Sequence, residues 1–364
     1  MSLSVDVTHL QGSFELDAQF EAPRGITVLF GRSGSGKTTI VNAVAGLLTP
    51  QKGLIKLDGT VLFDSASGQC LPPHARRIGY IFQESRLFPH MTVRQNLQYG
   101  ARFAPKNGAG EDFDRVVSLL GLGPFLNRRP ARLSGGERQR VAIGRALLSS
   151  PRLVLADEPL SNLDDARRQE ILPYFERLRD EIDVPILYVS HAASEVTRLA
   201  TTVVSLQNGS VQKQGPASEV LSDPEVTPLG AQAAGSLLQG CVTAHDGDGI
   251  TTVKAGGIEL LLPEVPHPVD TPLRLRINAQ DVMIATKKPD GISALNILPA
   301  KVAEIRRGDG PGVLVQLQAG DNLFLARITQ RSAKSLALMT GMEVFAVLKA
   351  VSFARVGIGD TRTG

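Results

Sequence analysis

Up to about residue 220, short apolar runs alternate with longer segments in which apolar residues recur at helical spacing. The apolar runs predict strands that are buried on both faces, at residues 26–30, 78–82, 153–156 and 186–190. The helical segments are residues 38–48, 135–148, 166–181 and 192–199. Strands that alternate with helices predict a mostly parallel sheet with helices on its faces.

The pattern changes near Gly215, where prolines and small residues predict a linker. Beyond it, short apolar runs separated by Gly and Asp turns predict strands at residues 258–262, 273–277, 282–285, 313–317, 323–328 and 344–350. We therefore expect an all-β, OB-like C-terminal domain. The predicted division is 1–229 and 230–364, and residues 236–290 and 291–357 are two candidate barrel-like halves.

Composition narrows the class of protein. Among 364 residues, 39 Lys and Arg nearly balance 36 Asp and Glu, so a dedicated nucleic-acid binder is not expected. Cys70 and Cys241 form no CxxC pair, which argues against a disulfide scaffold or a zinc site. The N-terminus lacks the pattern of a secretory signal, and the apolar runs are shorter than a membrane span requires.

One glycine-rich segment matches the phosphate-loop pattern GxxxxGK[ST], between a predicted strand and a predicted helix. Glycines let backbone N–H groups turn toward phosphates, and the helix N-terminus adds positive potential. Lys37 is expected at the β- and γ-phosphates, the Thr38 hydroxyl at Mg²⁺, and Thr39 at the α-phosphate. The predicted ATP-binding residues of this loop are Gly31, Arg32, Ser33, Gly34, Ser35, Gly36, Lys37, Thr38 and Thr39.

Two carboxylates follow the predicted strand at residues 153–156. Ligands of α/β sheets bind at the carboxyl ends of the strands, which places Asp157 where it can hold Mg²⁺ through water. Glu158 is expected to face the water that attacks the γ-phosphate. By themselves the pair would fit a solvated acidic turn equally well, but behind a phosphate loop the catalytic interpretation is favoured.

A second glycine-rich helix start lies at Ser134-Gly135-Gly136-Glu137. Ser134 and Glu137 have the spacing of a capping box. Capping does not explain two glycines in a first helical turn, where each costs about 1 kcal/mol relative to alanine. Their bare N–H groups suit a second anion site.

These motifs together resemble the ATP-binding subunits of ABC transporters. Gln83 matches that family's glutamine loop, His191 its histidine switch, and residues 161–164 the segment that crosses its dimer interface. The resemblance covers residues 31–191 and implies an α/β P-loop NTPase domain of the ABC type. It also implies a head-to-tail homodimer that encloses two ATP molecules between its subunits.

The resemblance assigns a role to each matching residue. Glu158, His191 and Gln83 are catalytic, with Glu158 as the general base. Mg²⁺ is held by Thr38, Gln83 and Asp157, in part through water. Each ATP-binding site is completed by residues of the other subunit, which are Ser134, Gly135, Gly136 and Asp164.

Two further segments follow from the resemblance. The aromatic residue that usually stacks on adenine falls near His9 to Phe14, where this chain has Leu10 at the expected place and Phe14 nearby. Residues 86–94 resemble the groove that receives a coupling helix of the membrane subunit, with Leu87, Phe88 and Met91 as its apolar lining.

The C-terminal region resembles the small molybdate-binding domain called Mop, at about residues 291–357. A tetrahedral dianion is bound by hydroxyls, N–H groups and cations, and for each candidate an ordinary surface role remains as an alternative. The candidates are Ser293, Asn296, Arg327, Ser332, Lys334 and Lys349.

The whole chain is similar to the ATPase subunits of molybdate importers. This implies ATP hydrolysis that energises import of molybdate, and of tungstate, with molybdate also a possible regulatory ligand. The implied partners are an integral-membrane permease and, indirectly, a periplasmic or extracellular molybdate-binding protein, with the chain peripheral at the cytoplasmic face of the membrane. Alternatives are an ATPase serving sulfate, thiosulfate, iron, polyamine or sugar import, a soluble ABC ATPase of translation or repair, and a molybdate sensor or storage protein.

Overall fold

The computed structural model describes residues 2–102, 111–223, 234–307, 311–353 and 358–360. Contacts divide the chain into two compact units: Met1–His191 with Leu199–Gln214, and Ala192–Arg198 with Gly215–Gly364. The domain boundary predicted between residues 229 and 230 lies outside the described residues and stays a prediction.

The elements up to residue 216 begin with an antiparallel pair of strands and then alternate between strands and helices. In chain order they are β1 (Leu3–Gln11), β2 (Phe14–Ala22), β3 (Ile26–Phe30), α1 (Lys37–Ala45), β4 (Lys52–Leu57), β5 (Thr60–Asp64), β6 (Gln69–Cys70), β7 (Ile78–Ile81), α2 (Val93–Ala101), α3 (Phe113–Leu119), α4 (Gly135–Leu147), β8 (Leu153–Asp157), α5 (Asp165–Glu181), β9 (Ile186–Ser190), α6 (Ala193–Leu199), β10 (Thr202–Gln207) and β11 (Ser210–Pro216).

One eleven-stranded sheet forms the first unit, in the order β6-β5-β4-β1-β2-β11-β10-β3-β9-β8-β7. The strands from β10 to β7 pair in parallel, as expected. Parallel pairing does not extend across the whole sheet, because β1, β4, β5 and β6 pair antiparallel, and β2 pairs antiparallel with β1 but parallel with β11. Asp58 and Gly59, both with positive φ, make the two-residue turn that joins β4 to β5 as a hairpin.

The core of this unit explains where the functional residues lie. Every residue of β3 and β9 is buried, as is typical of strands covered on both faces. β9 lies between β3 and β8, with Phe30 opposite Ser190 and Val189 opposite Asp157. The carboxyl ends of β3, β9 and β8 therefore meet at one edge of the sheet, where ligands of α/β proteins bind.

The second unit is built mainly of strands, which confirms the predicted all-β C-terminal region. Its elements from residue 217 onward are α7 (Ala217–Leu221), β12 (Gly235–Asp246), β13 (Ile250–Ala255), β14 (Ile258–Pro263), β15 (Pro272–Asn278), β16 (Met283–Ala285), β17 (Asn296–Arg307), β18 (Gly312–Ala319), β19 (Asn322–Thr329), α8 (Gln330–Ser335), β20 (Glu343–Leu348) and β21 (Ile358–Asp360).

Two five-stranded sheets share this unit, in the orders β14-β13-β12-β15-β21 and β16-β20-β17-β18-β19. The two sheets divide before β16 rather than at residue 290, because β16 pairs with β20, and β21, which lies beyond residue 357, pairs with β15. One hydrophobic cluster also contains residues of both sheets, such as Leu260, Leu275, Val315 and Leu348. The two sheets therefore bury a common core. Within the described residues, no helix is both long and apolar enough to span a membrane.

Candidate functional site

The phosphate loop, residues 31–36, joins β3 to α1 and requires glycine at specific positions. Gly34 and Gly36 have φ of 82° and 100°, in the left-handed region that side chains disfavour. A Cβ atom on Gly36 would lie 2.8 Å from Leu16 Cδ1 and 3.2 Å from Phe14 Cζ. The side chains of Leu16 and Phe14 therefore pack against the backbone of the loop at Gly36. Helix α1 begins at the next residue, Lys37.

Lys37 is held inside this loop by the loop's own carbonyl groups. Its side chain is buried, and Nζ donates to the carbonyl oxygens of Gly31 at 2.8 Å and Arg32 at 2.7 Å. Burial lowers the pKa of the Lys37 ammonium, whereas the carboxylates of Glu158 and Asp157 act in the opposite direction. A phosphate oxygen is a stronger acceptor for this ammonium than a carbonyl, since it carries charge.

Asp157 ends β8 with a hydrogen bond to each carboxylate oxygen. Oδ1 accepts from Thr38 Oγ1 at 3.5 Å, and Oδ2 accepts from Tyr80 Oη at 3.3 Å. Burial is the main cause that raises the pKa of Asp157, and the two hydrogen bonds oppose it. Burial, and then the charge of Asp157, raise the pKa of the Tyr80 phenol, which keeps its proton as the donor.

The donors around Asp157 fit a magnesium ion. A hydroxyl and a carboxylate oxygen lie side by side at Thr38 and Asp157, and Mg²⁺ prefers oxygen ligands. Burial disfavours the charged form of this carboxylate, and a divalent cation beside it would reverse that effect. Gln83, the third predicted magnesium ligand, has no contact with Thr38 or Asp157 among its described hydrogen bonds.

Glu158 has a positive φ, which is uncommon for a residue other than glycine. Its φ is 44°, and its backbone N–H donates to the Val189 carbonyl at 3.2 Å. His191 Nδ1 lies 3.2 Å from Glu158 Oε1, so the structure brings together the predicted base and the predicted histidine switch.

Gln83 lies on the surface and contacts the segment that follows Glu158. Its Nε2 donates to Asn162 Oδ1 at 3.4 Å, and Asn162 Nδ2 donates to the Gln83 carbonyl, also at 3.4 Å. The two loops are thus joined by a reciprocal amide pair. The sequence analysis placed Asn162 only within residues 161–164 and gave it no partner.

A cavity of about 380 Å³ lies at the phosphate loop. Its aromatic wall is Phe14, whereas Leu10, at the place where family members carry an aromatic residue, is not among the lining residues and is 51% exposed. The cavity thus combines phosphate-loop N–H groups, a lysine, a carboxylate and one aromatic ring. Its lining residues are Gln11, Phe14, Ser33, Gly34, Gly36, Lys37, Thr38, Thr39 and Glu158.

The start of α4 forms the predicted capping box. Glu137 N–H donates to Ser134 Oγ at 3.2 Å, and Ser134 N–H donates to Glu137 Oε2 at 2.6 Å. Ser134, Gly135 and Gly136 are not among the lining residues of the described cavity. Asp164 likewise caps a helix, because its Oδ1 accepts from the Arg167 N–H at the start of α5. A single chain therefore leaves the predicted in-trans residues outside its own cavity.

Tyr80 is a site residue that the sequence analysis did not identify. It was read only as part of an apolar run, although β7 and β8 pair in parallel with Ile81 opposite Ala156. A tyrosine near the end of the strand beside Asp157 was the available signal. Recognising it required knowing which strands are neighbours, because the motif pattern alone does not contain that pairing.

The six candidate oxyanion residues lie on several elements of the second unit. Asn296 is buried, and its amide group bonds both the N–H and the carbonyl of Leu261, at 2.7 and 2.9 Å. Arg327 Nε is buried without a hydrogen-bond partner among the described residues, beside Gly312. Ser332 Oγ lies 2.8 Å from Thr329 Oγ1, and Lys334 shares its short helix. Ser293 and Lys349 are exposed. Their role as oxyanion ligands stays a prediction.

A phosphate loop that precedes a helix, with two carboxylates at the end of a nearby parallel strand, defines a P-loop nucleoside triphosphatase. Comparison with known proteins refines this class. Residues 17–161 match the ABC transporter family, and residues 292–354 match the TOBE domain.

Full-length relatives cover both units of the chain. The molybdenum import ATP-binding protein ModC of Mesorhizobium japonicum is 50% identical over 361 residues, which are 99% of this chain and 98% of that protein. The protein of the same name from Paramagnetospirillum magneticum is 48% identical over 355 residues, with 97% and 98% covered. The chain therefore belongs to the family of ABC transporter ATP-binding proteins, whose members bind and hydrolyse ATP.

Solved structures support the fold of the first unit. CbiO1 from Clostridium perfringens, described as part of the ABC transporter complex cbiONQ, has a TM-score of 0.52 and 26% identity, covering 62% of this chain and 92% of that one. MJ1267, described as an ATP-binding cassette of an ABC transporter, has a TM-score of 0.52 and 23% identity, covering 62% and 96%.

Proposed function

We propose that this chain is the ATP-hydrolysing subunit that energises import of molybdate, and of tungstate, through an integral-membrane permease. The observation that carries the proposal is the near-complete match to relatives named molybdenum import ATP-binding protein, which extends through the C-terminal unit as well as the ATPase unit. The ATPase unit hydrolyses ATP. Relatives that transport other substrates would be expected to differ in the C-terminal unit.

Each residue at the cavity has a distinct role in the proposed hydrolysis. Lys37 binds the β- and γ-phosphates when its Nζ leaves the loop carbonyls, and Phe14 offers the ring for the adenine. Glu158 takes a proton from the attacking water, and His191 keeps that carboxylate oriented from 3.2 Å. Thr38 and Asp157 would hold Mg²⁺, which when bound neutralises charge that develops on the phosphates.

The active form is a homodimer in which each ATP contacts both subunits. This is supported by the capped start of α4, whose glycines leave N–H groups bare, and by the absence of Ser134, Gly135 and Gly136 from the lining of the described cavity. Asp164, at the start of α5, contributes to the same interface. ATP binding closes the dimer, and hydrolysis reopens it.

Residues 86–94 are proposed as the contact with the permease. The segment is anchored from two sides, because Arg145 donates to the carbonyls of Arg86 at 2.8 Å and Ser85 at 3.2 Å. Asn96 bonds both the N–H and the carbonyl of Phe88. Leu87, Phe88 and Met91 remain only partly buried in a rigid frame, which suits an apolar contact with a partner helix.

The chain is proposed to act at the cytoplasmic face of the membrane, bound to its permease. A molybdate-binding protein outside the cell or in the periplasm would deliver the ion to that permease. This placement rests on the transport role of the named relatives and on the proposed permease contact. Molybdate bound to the C-terminal unit would regulate the transporter from inside.

The identity of the ion is tested by calorimetry on the full-length chain. Molybdate and tungstate should give heat, and sulfate at the same concentration should give none. A rigid set of donors sized for the larger ion leaves donors unpaired around sulfate, and each unpaired buried donor costs about 1–3 kcal/mol. Two such donors correspond to a preference of about a hundredfold or more.

Variants locate the binding site in the same experiment. Arg327→Gln and Ser332→Ala should weaken molybdate binding, and Ser335→Ala, on the same helix but outside the candidate set, should not. Heat with sulfate but none with molybdate would favour a sulfate importer. If neither ion gives heat, the C-terminal unit has a structural or dimerising role instead.

A further inference from the structure

Tyr80 contacts the carboxylate of Asp157, the predicted magnesium ligand. None of the sequence motifs described above gives Tyr80 a role. Its hydroxyl donates to Asp157 Oδ2 at 3.3 Å, while Thr38 donates to Oδ1. Each oxygen of this carboxylate therefore has one hydroxyl partner. The two partners differ in kind, because Thr38 is itself a predicted magnesium ligand and Tyr80 is not.

The ring of Tyr80 is fixed by its surroundings. It stacks on Phe82 with centroids 4.0 Å apart and an angle of 17° between the rings, and the guanidinium of Arg86 lies 4.2 Å from the Phe82 centroid. Because β7 pairs in parallel with β8, the hydroxyl reaches the carboxylate at the end of the neighbouring strand. Such packing leaves the phenol little freedom to turn away.

An outer partner that holds one oxygen of a carboxylate determines where the other oxygen points. Partners of this kind commonly contribute to metal affinity without touching the metal. We infer that Tyr80 is a positioning residue that orients Asp157 for the magnesium ion of ATP. The inference rests on the proposed ATP site but not on which ion the transporter carries.

The test measures metal binding directly rather than hydrolysis. Mn²⁺ replaces Mg²⁺ as a paramagnetic probe and is titrated into the full-length protein with a non-hydrolysable ATP analogue, while electron paramagnetic resonance reports free Mn²⁺. Tyr80→Phe removes only the hydroxyl and should raise the Mn²⁺ dissociation constant by about tenfold. Tyr174→Phe is the control, because it removes the same hydroxyl from a tyrosine that accepts from Arg140 instead. It should leave the Mn²⁺ dissociation constant unchanged.

A second measurement separates positioning from folding. Affinity for the nucleotide in the presence of EDTA should be equal in the wild type and in Tyr80→Phe, because the phosphate loop is untouched. An unchanged Mn²⁺ constant in Tyr80→Phe would overturn the inference, as would an equal loss of affinity with and without metal. If the wild type itself bound no Mn²⁺ with nucleotide, the ATP site as proposed would fail as well.

Discussion

Glu158 has a φ of 44°, in the left-handed region that residues other than glycine seldom adopt. A non-glycine residue at φ 44° costs about 1–3 kcal/mol, and it persists only where the surroundings enforce it. Here the N–H bond to Val189 and the Ser161 hydroxyl, which donates to the Glu158 carbonyl at 2.9 Å, hold the turn after β8. The result is a carboxylate that lines the cavity and contacts His191.

Replacing Glu158 with glutamine tests its role as the base. Glu158→Gln keeps the size of the side chain but removes the proton acceptor, so hydrolysis should slow by about 10²–10⁴-fold. ATP should still bind, and the protein should accumulate as an ATP-bound dimer, measurable by size-exclusion chromatography with light scattering. Turnover close to that of the wild type would show that another group is the base.

Substitution of Gly36 tests the conformation of the phosphate loop, because a side chain there would strain the backbone and clash with neighbouring side chains. In Gly36→Ala the new methyl group would meet Leu16 and Phe14, and the φ of 100° disfavours any side chain. ATP affinity should fall by more than about tenfold, a loss of at least about 1.4 kcal/mol by equilibrium binding.

The matched control is Gly59→Ala, at φ 76° in the β4–β5 turn with open space around its Cβ position. It should lower stability modestly and leave ATP affinity unchanged. Equal affinities in the wild type and Gly36→Ala would mean that the loop can open to accept the methyl group, against the close packing described above.

Among secondary-structure elements, those next to motifs were predicted best. The helix predicted at residues 135–148 is Gly135–Leu147, and the strand predicted at residues 186–190 is Ile186–Ser190. Continuous apolar runs and a capping box are local signals, so the sequence contains them in full. The cavity residues of the phosphate loop were predicted for the same reason.

The missed features are of two kinds: strands whose local signals were not used, and contacts that depend on which elements are neighbours. β2 has an alternating burial pattern in the segment FELDAQFEA, which indicates a strand with one exposed face, and Asp58-Gly59 is a hairpin signal. Tyr80 and Asn162 became site residues only once neighbouring strands and loops were known. The return of β21 to pair with β15, about 80 residues earlier in the chain, has no local signal in the sequence.

Substitutions of Ser134 distinguish its role as the N-cap of α4 from its proposed contact with the ATP of the other subunit. Ser134→Arg removes the capping hydroxyl and places bulk and charge where the partner's phosphates are expected. ATP should still bind to the phosphate loop of the monomer, because Lys37 is unaffected, but hydrolysis should be abolished.

Ser134→Thr, which keeps a capping hydroxyl, is the control for helix stability, because loss of an N-cap costs about 1 kcal/mol. If Ser134→Arg were fully active, the helix start would be only a cap. A collapse of ATP binding in Ser134→Arg, with normal binding in Ser134→Thr, would indicate instead that the substitution damages its own subunit.

In the molecule as a whole, an ATPase unit and a β-rich unit lie on one chain, and relatives match both together over nearly their full length. The β-rich unit has its own shared core, which includes Leu260 and Val315 from different sheets. This organisation is expected if ATP hydrolysis and response to an oxyanion belong to one subunit. The proposal therefore links the phosphate loop and the transported ion in a single function.

Uptake of labelled molybdate by cells that lack their own copy of this chain tests that link most directly. Cells supplied with the wild-type chain should accumulate molybdate, and cells supplied with Glu158→Gln, made in equal amount, should accumulate little above the background of empty cells. Labelled sulfate, measured in parallel, should enter all three equally. Molybdate uptake that is independent of the chain, or sulfate uptake that depends on Glu158, would contradict the account.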